Sequence, residues 1–155
     1  SAAAACSFVW SSPARSTSTA NTDAPSAARR SATARPMPAP APVMSATFSQ
    51  LQAALGPERD AVRMLSISID PEQDTPAALK TYAVKYGAGP QWQMLTGSLD
   101  DSIAVQRAFN VYRGDKMGHA PATFLRVRAG QPWVRLDGFA SAADILREYR
   151  QLTTN

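Results

Sequence analysis

Apolar positions fall into a regular order from Val43 onward. Phe48, Leu51 and Leu55 recur at helical spacing between Ser45, a residue type that caps helices, and Gly56, which suits a C-terminal stop, so a helix is expected there. Val62-Arg63-Met64-Leu65-Ser66-Ile67-Ser68-Ile69 is rich in branched residues and alternates in its second half, the pattern of a buried strand that Asp70-Pro71 ends. A second helix follows from Asp74-Thr75-Pro76, where proline at the first helical position needs no amide partner, and Leu79, Tyr82, Ala83 and Tyr86 share one face before Gly87. Trp92 to Leu95 reads as a short strand. A third helix starts near Asp100-Asp101, whose charges suit the positive end of a helix, and Ile103, Ala104, Ala108 and Phe109 give it an apolar side. Ala122 to Arg128 and Pro132 to Asp137 read as strands joined by a Gly-containing turn. The last helix opens at Ser141, with Asp144 three residues on, and presents Ile145, Leu146, Tyr149 and Leu152.

The order α-β-α-β-α-β-β-α predicts an α/β, thioredoxin-like domain: a mixed central sheet flanked by helices. That architecture calls for a strand before the first helix, and none is evident. The first strand is therefore expected to be missing. Residues 1–42 are dominated by Ala, Ser, Thr and Pro, hold aromatics only at Phe8 and Trp10, and show no period, so the expectation is a disordered segment 1–42 followed by a folded domain 43–155. The apolar stretch from Ala2 to Trp10 resembles the tail of a signal peptide but has no basic residues before it; the stronger expectation is an unstructured leader with an inert Cys6.

Charge adds less than its total suggests. The net charge is +4, from 16 basic and 12 acidic residues. Arg15, Arg29, Arg30 and Arg35 in the front segment face Asp23 alone, which leaves the domain with little net charge. Scattered arginines without interleaved aromatics do not make a nucleic-acid footprint, so no nucleic-acid partner is expected. No apolar run reaches the ~18 residues of a membrane span. A single Cys and a single His exclude an internal disulfide and a four-ligand zinc site.

The residues left to carry chemistry are His119, the carboxylates of Asp70-Pro71-Glu72-Gln73-Asp74, and Cys6. His119 has a bland reading as a surface or packed residue, and Asp70 and Asp74 are explained by turn and capping chemistry. None of them alone supports an enzyme, and none is expected to be catalytic.

Ile67-Ser68-Ile69-Asp70-Pro71-Glu72-Gln73-Asp74-Thr75-Pro76, followed by Leu95-Thr96-Gly97 and by His119 just ahead of a strand, resembles the Sco/SenC family over about residues 42 to 152. The resemblance implies a thioredoxin-like copper chaperone that delivers copper to, or maintains the thiols of, the CuA site in cytochrome c oxidase subunit II. It further implies a membrane-associated protein on the periplasmic side of the bacterial inner membrane, held by an anchor outside this chain. In that family two cysteines of a CxxxCP motif and a histidine hold the metal, and His119 corresponds to the histidine. Aligned on Pro42-Val43-Met44-Ser45, the cysteine positions fall on Met37 and Ala41. The implied ligand set thus shrinks to His119, with Met37 as a thioether and Asp70 and Asp74 as outer-shell carboxylates, and copper handling is expected to be impaired. Because the missing strand and missing cysteines meet near Ala41, a disrupted reading frame upstream of Pro42 is a further expectation. A thiol oxidoreductase and a non-catalytic thioredoxin-like binding domain are the two alternatives.

Overall fold

A computed structural model describes residues 4–10, 40–114 and 121–154, with the backbone alone for 4–10 and 40–42. The chain runs β1 (Ala4–Trp10), α1 (Pro40–Ala54), a 3-10 turn (Gly56–Ala61), β2 (Val62–Ser68), α2 (Pro76–Lys85), β3 (Trp92–Leu95), α3 (Leu99–Ala108), β4 (Ala122–Arg126), β5 (Val134–Asp137) and α4 (Ala142–Thr154). The strands form one five-stranded sheet ordered β3-β2-β1-β4-β5. β1, β2 and β3 are mutually parallel, while β4 runs antiparallel to β1 and β5 antiparallel to β4. The thioredoxin-like α/β expectation holds.

The expected absence of the first strand is corrected, and with it the expectation that all of residues 1–42 lack order. Ala4–Trp10 occupies the centre of the sheet, pairing with β2 from Ala4↔Val62 to Trp10↔Ser68 and with β4 from Ala5↔Arg126 to Phe8↔Thr123. Tertiary position overrides the weak strand preference of an Ala-rich start, because two flanking strands satisfy its amides and carbonyls at once. Cys6 holds the register position between Met64 and Leu125, both buried. It belongs to a strand rather than to a leader. The coincidence that suggested a broken reading frame loses its strand half; residues 11–39, including Met37, lie outside the described residues.

Helix boundaries follow their caps. Thr75 Oγ1 accepts the Ala78 amide as the N-cap of α2. Ser98 and Asp101 form a reciprocal capping box on α3, and Ser141 and Asp144 make the same pair of contacts before α4. α1, by contrast, begins five residues before the expected cap, at Pro40, so Ser45 is a buried residue inside the helix and not its start. Pro40 and Pro42 fall in the first turn, where a missing amide costs no helical bond.

The main core lies on the sheet face covered by α1, α2 and α4. Met44, Phe48, Leu51 and Leu55 of α1 meet Met64, Leu79, Trp92, Leu125, Ile145 and Tyr149, with the Phe48 and Trp92 rings 5.7 Å apart. Trp92 Nε1 donates to Ser66 Oγ at 3.0 Å, so the indole is buried without losing its polar partner. A smaller cluster of Val111, Ala122 and Phe124, packed by Phe109 and Trp133, sits under the β4–β5 end of the sheet.

Candidate functional site

In a sheet with parallel central strands, the carboxyl ends of those strands are where loops converge and ligands bind. Here β1 ends at Trp10 beside Ser68, the last residue of β2, and the antiparallel β4 begins at Ala122 at the same end. The loop between β2 and α2 gathers the buried polar groups of this edge.

Ser68 is its hub. Its hydroxyl donates to Asp74 Oδ2 at 2.5 Å and accepts the Asp70 amide at 3.0 Å. The Asp70 carbonyl in turn accepts the amides of Gln73 at 3.1 Å and Asp74 at 2.9 Å, closing the Pro71–Gln73 turn. From the far side of the sheet, Ser102 Oγ of α3 donates to the Ser68 carbonyl at 3.0 Å, and Gln106 Nε2 donates to Ser102 Oγ at 3.1 Å. Asp74 is 1% exposed and Asp70 6%. A buried carboxylate is tolerated only when hydrogen bonds replace its water. The sequence motif therefore encodes a rigid bracket that ties β2, α2 and α3 together.

Tyr82 of α2 lies near both this bracket and α1. Burial drives the Tyr82 hydroxyl pKa well above its ordinary range; a hydrogen bond with Ser45 opposes that shift, and Tyr86 and the nearby Asp74 charge reinforce it. The Tyr82 and Tyr86 rings lie 4.5 Å apart. Sequence reasoning missed Ser102 and Gln106 as members of the network. For Ser102 and Gln106 the signal was present as two polar residues four apart, on one face of α3.

Of the residues expected to hold a metal, the structure brings Asp70 and Asp74 into one turn. Ala41 lies in the first turn of α1, and its methyl group offers no lone pair. Met37 and His119 lie outside the described residues. Among the described residues no three His, Cys, Asp or Glu side chains come together as a metal site. Copper favours thiolate and imidazole over carboxylate, so the described residues do not fit a copper-holding centre.

With this geometry in place, the comparisons with known proteins are consistent with one another. Residues 38–154 match the SCO1/SenC family. The SCO1 protein homolog of Bacillus subtilis (strain 168) is 42% identical over 63 residues, a stretch that takes in 40% of this chain and 33% of the relative's own length. The solved structure of BsSco, described as a member of the Sco family of cytochrome c oxidase assembly proteins, superposes with a TM-score of 0.65 at 21% identity, covering 97% of this chain and 80% of that one. Copper-bound yeast Sco1 superposes with a TM-score of 0.63 at 17% identity, covering 97% and 78%.

Proposed function

Since the chain belongs to the SCO1/SenC family, we propose that it acts in cytochrome c oxidase assembly at the CuA site of subunit II, with copper holding weakened by Met37 and Ala41 where the family has thiolates. The observation that supports this reading is the start of α1. The helix that the proposed cysteine positions border is formed and seats Phe48 in the core, and the residue ahead of Pro42 in its first turn is Ala41.

Copper is cargo in this reading. A thiolate pair at a helix N-terminus is held as anions by the positive end of the helix and binds Cu(I) strongly. A methyl group and a thioether cannot be held as anions, so His119 is left as the single strong donor. The network around Ser68 and Asp74 has a structural part: it fixes the loop opposite α1. An intramolecular dithiol cycle needs two thiols, and this chain has one. Its place is the periplasmic face of the inner membrane, as for the family.

The test is a Cu(I) competition titration against a chromogenic chelator. The purified chain should leave copper with the chelator, a Met37→Cys/Ala41→Cys variant should capture it, and adding His119→Ala to that variant should weaken capture. Strong capture by the unaltered chain, or none by the double-cysteine variant with its helix content intact, would sink the proposal.

A further inference from the structure

We propose that the β4–β5 face, with the end of α3, is a docking surface for a carboxylate-rich segment of a partner protein. The surface is built of arginines. Arg126 lies 4.3 Å over the Trp133 ring, Arg135 5.8 Å over Phe124, and Arg107 5.0 Å over Tyr112. These groups are contiguous: Phe109 packs on both Phe124 and Trp133, at 4.8 and 5.3 Å, and the Asn110 carbonyl accepts from both Arg113 and Arg135. Arg128, exposed at the hairpin turn, extends the row.

Five guanidinium groups share this face, and among the described residues Asp137 is the one carboxylate that pairs with any of them, 2.6 Å from Arg135. The excess of positive charge is local, because the folded part as a whole is close to neutral.

Residue type identifies the partner chemistry. A guanidinium held over a ring carries N–H donors in a planar fork that matches a carboxylate bidentately, and it has less side-chain freedom left to lose than a free arginine; Arg135 already gives Nε to Asp137 and Nη1 to the Asn110 carbonyl. An anionic lipid surface is attracted by charge at long range, for which lysine serves equally well, yet no lysine lies on the described part of this face; Lys80 and Lys85 are on α2. A nucleic acid would stack its bases on open rings, whereas these rings are covered by guanidinium groups and by one another. This inference goes beyond the proposed function and does not depend on copper being held.

The experiment is fluorescence anisotropy with a labelled peptide of alternating Glu and Gly, at low and physiological salt. The full chain should bind it. Arg126→Gln/Arg135→Gln should weaken binding about tenfold or more, and Arg126→Lys/Arg135→Lys, which keeps the charge, should recover only a minor part of the loss. Arg147→Gln/Arg150→Gln on α4 should leave binding unchanged, and Asp137→Asn should tighten it by freeing Arg135, more than Asp144→Asn on α4 does. Should the first pair fail to fold by circular dichroism, Arg113→Glu/Arg128→Glu carries the same test on exposed residues. Equal losses from the α4 pair, full recovery with lysine, or patch-dependent binding of phosphatidylglycerol vesicles without peptide binding would each overturn the proposal.

Discussion

Removing one oxygen from the β2–α2 bracket should destabilise the whole domain. Ser68→Ala deletes a hydroxyl that donates to Asp74 Oδ2 at 2.5 Å and accepts the Asp70 amide at 3.0 Å, in a site where Ser68 itself is 2% exposed. A hydrogen bond to a charged group contributes ~1.5–3 kcal/mol, and a buried amide left without an acceptor costs a further ~1–3 kcal/mol. Water cannot replace either bond without opening the turn. The methyl group that remains recovers a small part through burial, which leaves a net loss of about 3 kcal/mol. For a domain of this size that corresponds to a melting temperature about 10 °C lower. Urea unfolding followed by circular dichroism measures it directly, with the midpoint moving and the slope unchanged. A loss below about 1 kcal/mol would mean that the bracket is loosely held and that Asp74 is solvated, and the argument for a rigid loop opposite α1 would fall. Combining Ser68→Ala with Asp74→Ala in a double-mutant cycle separates the coupling of the pair from the cost of each truncation.

Thr123 gives the converse case, since its Oγ1 is fully buried with no partner among the described residues. Thr123→Val should be neutral or stabilising by up to about 1 kcal/mol in the same denaturation assay, because it removes an unpaired hydroxyl and keeps the shape. Phe48→Ala should cost ~3–5 kcal/mol, since the ring is fully buried against Trp92 where α1 meets the sheet; a near-native melting temperature would count against α1 as the element that seals the core. The helix caps are acid-sensitive. Hydrogen bonds from Ser98 and from Ser141 hold the Asp101 and Asp144 carboxyls below their ordinary pKa, so their contribution is complete above the unfolded carboxyl range near pH ~4 and disappears as pH falls through the lower folded values. Carboxyl NMR titration should show both midpoints depressed, and Ser141→Ala should return that of Asp144 toward normal while leaving Asp101 unmoved.

The parts of the fold that were legible in the sequence are those whose determinants are local. Thr75-Pro76 and Ser141 with Asp144 announce helix starts through their own side chains, and β3 carries its signal in four consecutive residues. β1 was not legible, because Ala4 and Ala5 have little strand preference and the pairing that holds them comes from β2 and β4, far along the chain. The signal that existed was Cys6 to Trp10, a short run of strand-favouring residues ended by Ser-Ser-Pro. Ser45 was misassigned for a similar reason: a serine ahead of an apolar helix looks like a cap until Pro40 and Pro42 are allowed into the first turn. At the candidate site, the motif residues Asp70 and Asp74 were visible, but their hub Ser68 was read as an ordinary strand residue. Its role depends on Ser102, which lies on a different element.

The described anchors of α1 lie beyond the start of the helix. The position of α1 is fixed by its buried face, where Met44, Phe48, Leu51 and Leu55 meet the sheet, and by the Ser45 contact to Tyr82. None of these anchors is in the first turn. The described packing of the helix begins at Met44, one turn beyond Pro40. On the proposed reading, Met37 and Ala41 stand where the family has thiolates, ahead of that packing in the sequence. The β2–α2 bracket and the arginine-lined β4–β5 face are built from other elements, so their assembly does not draw on the start of α1.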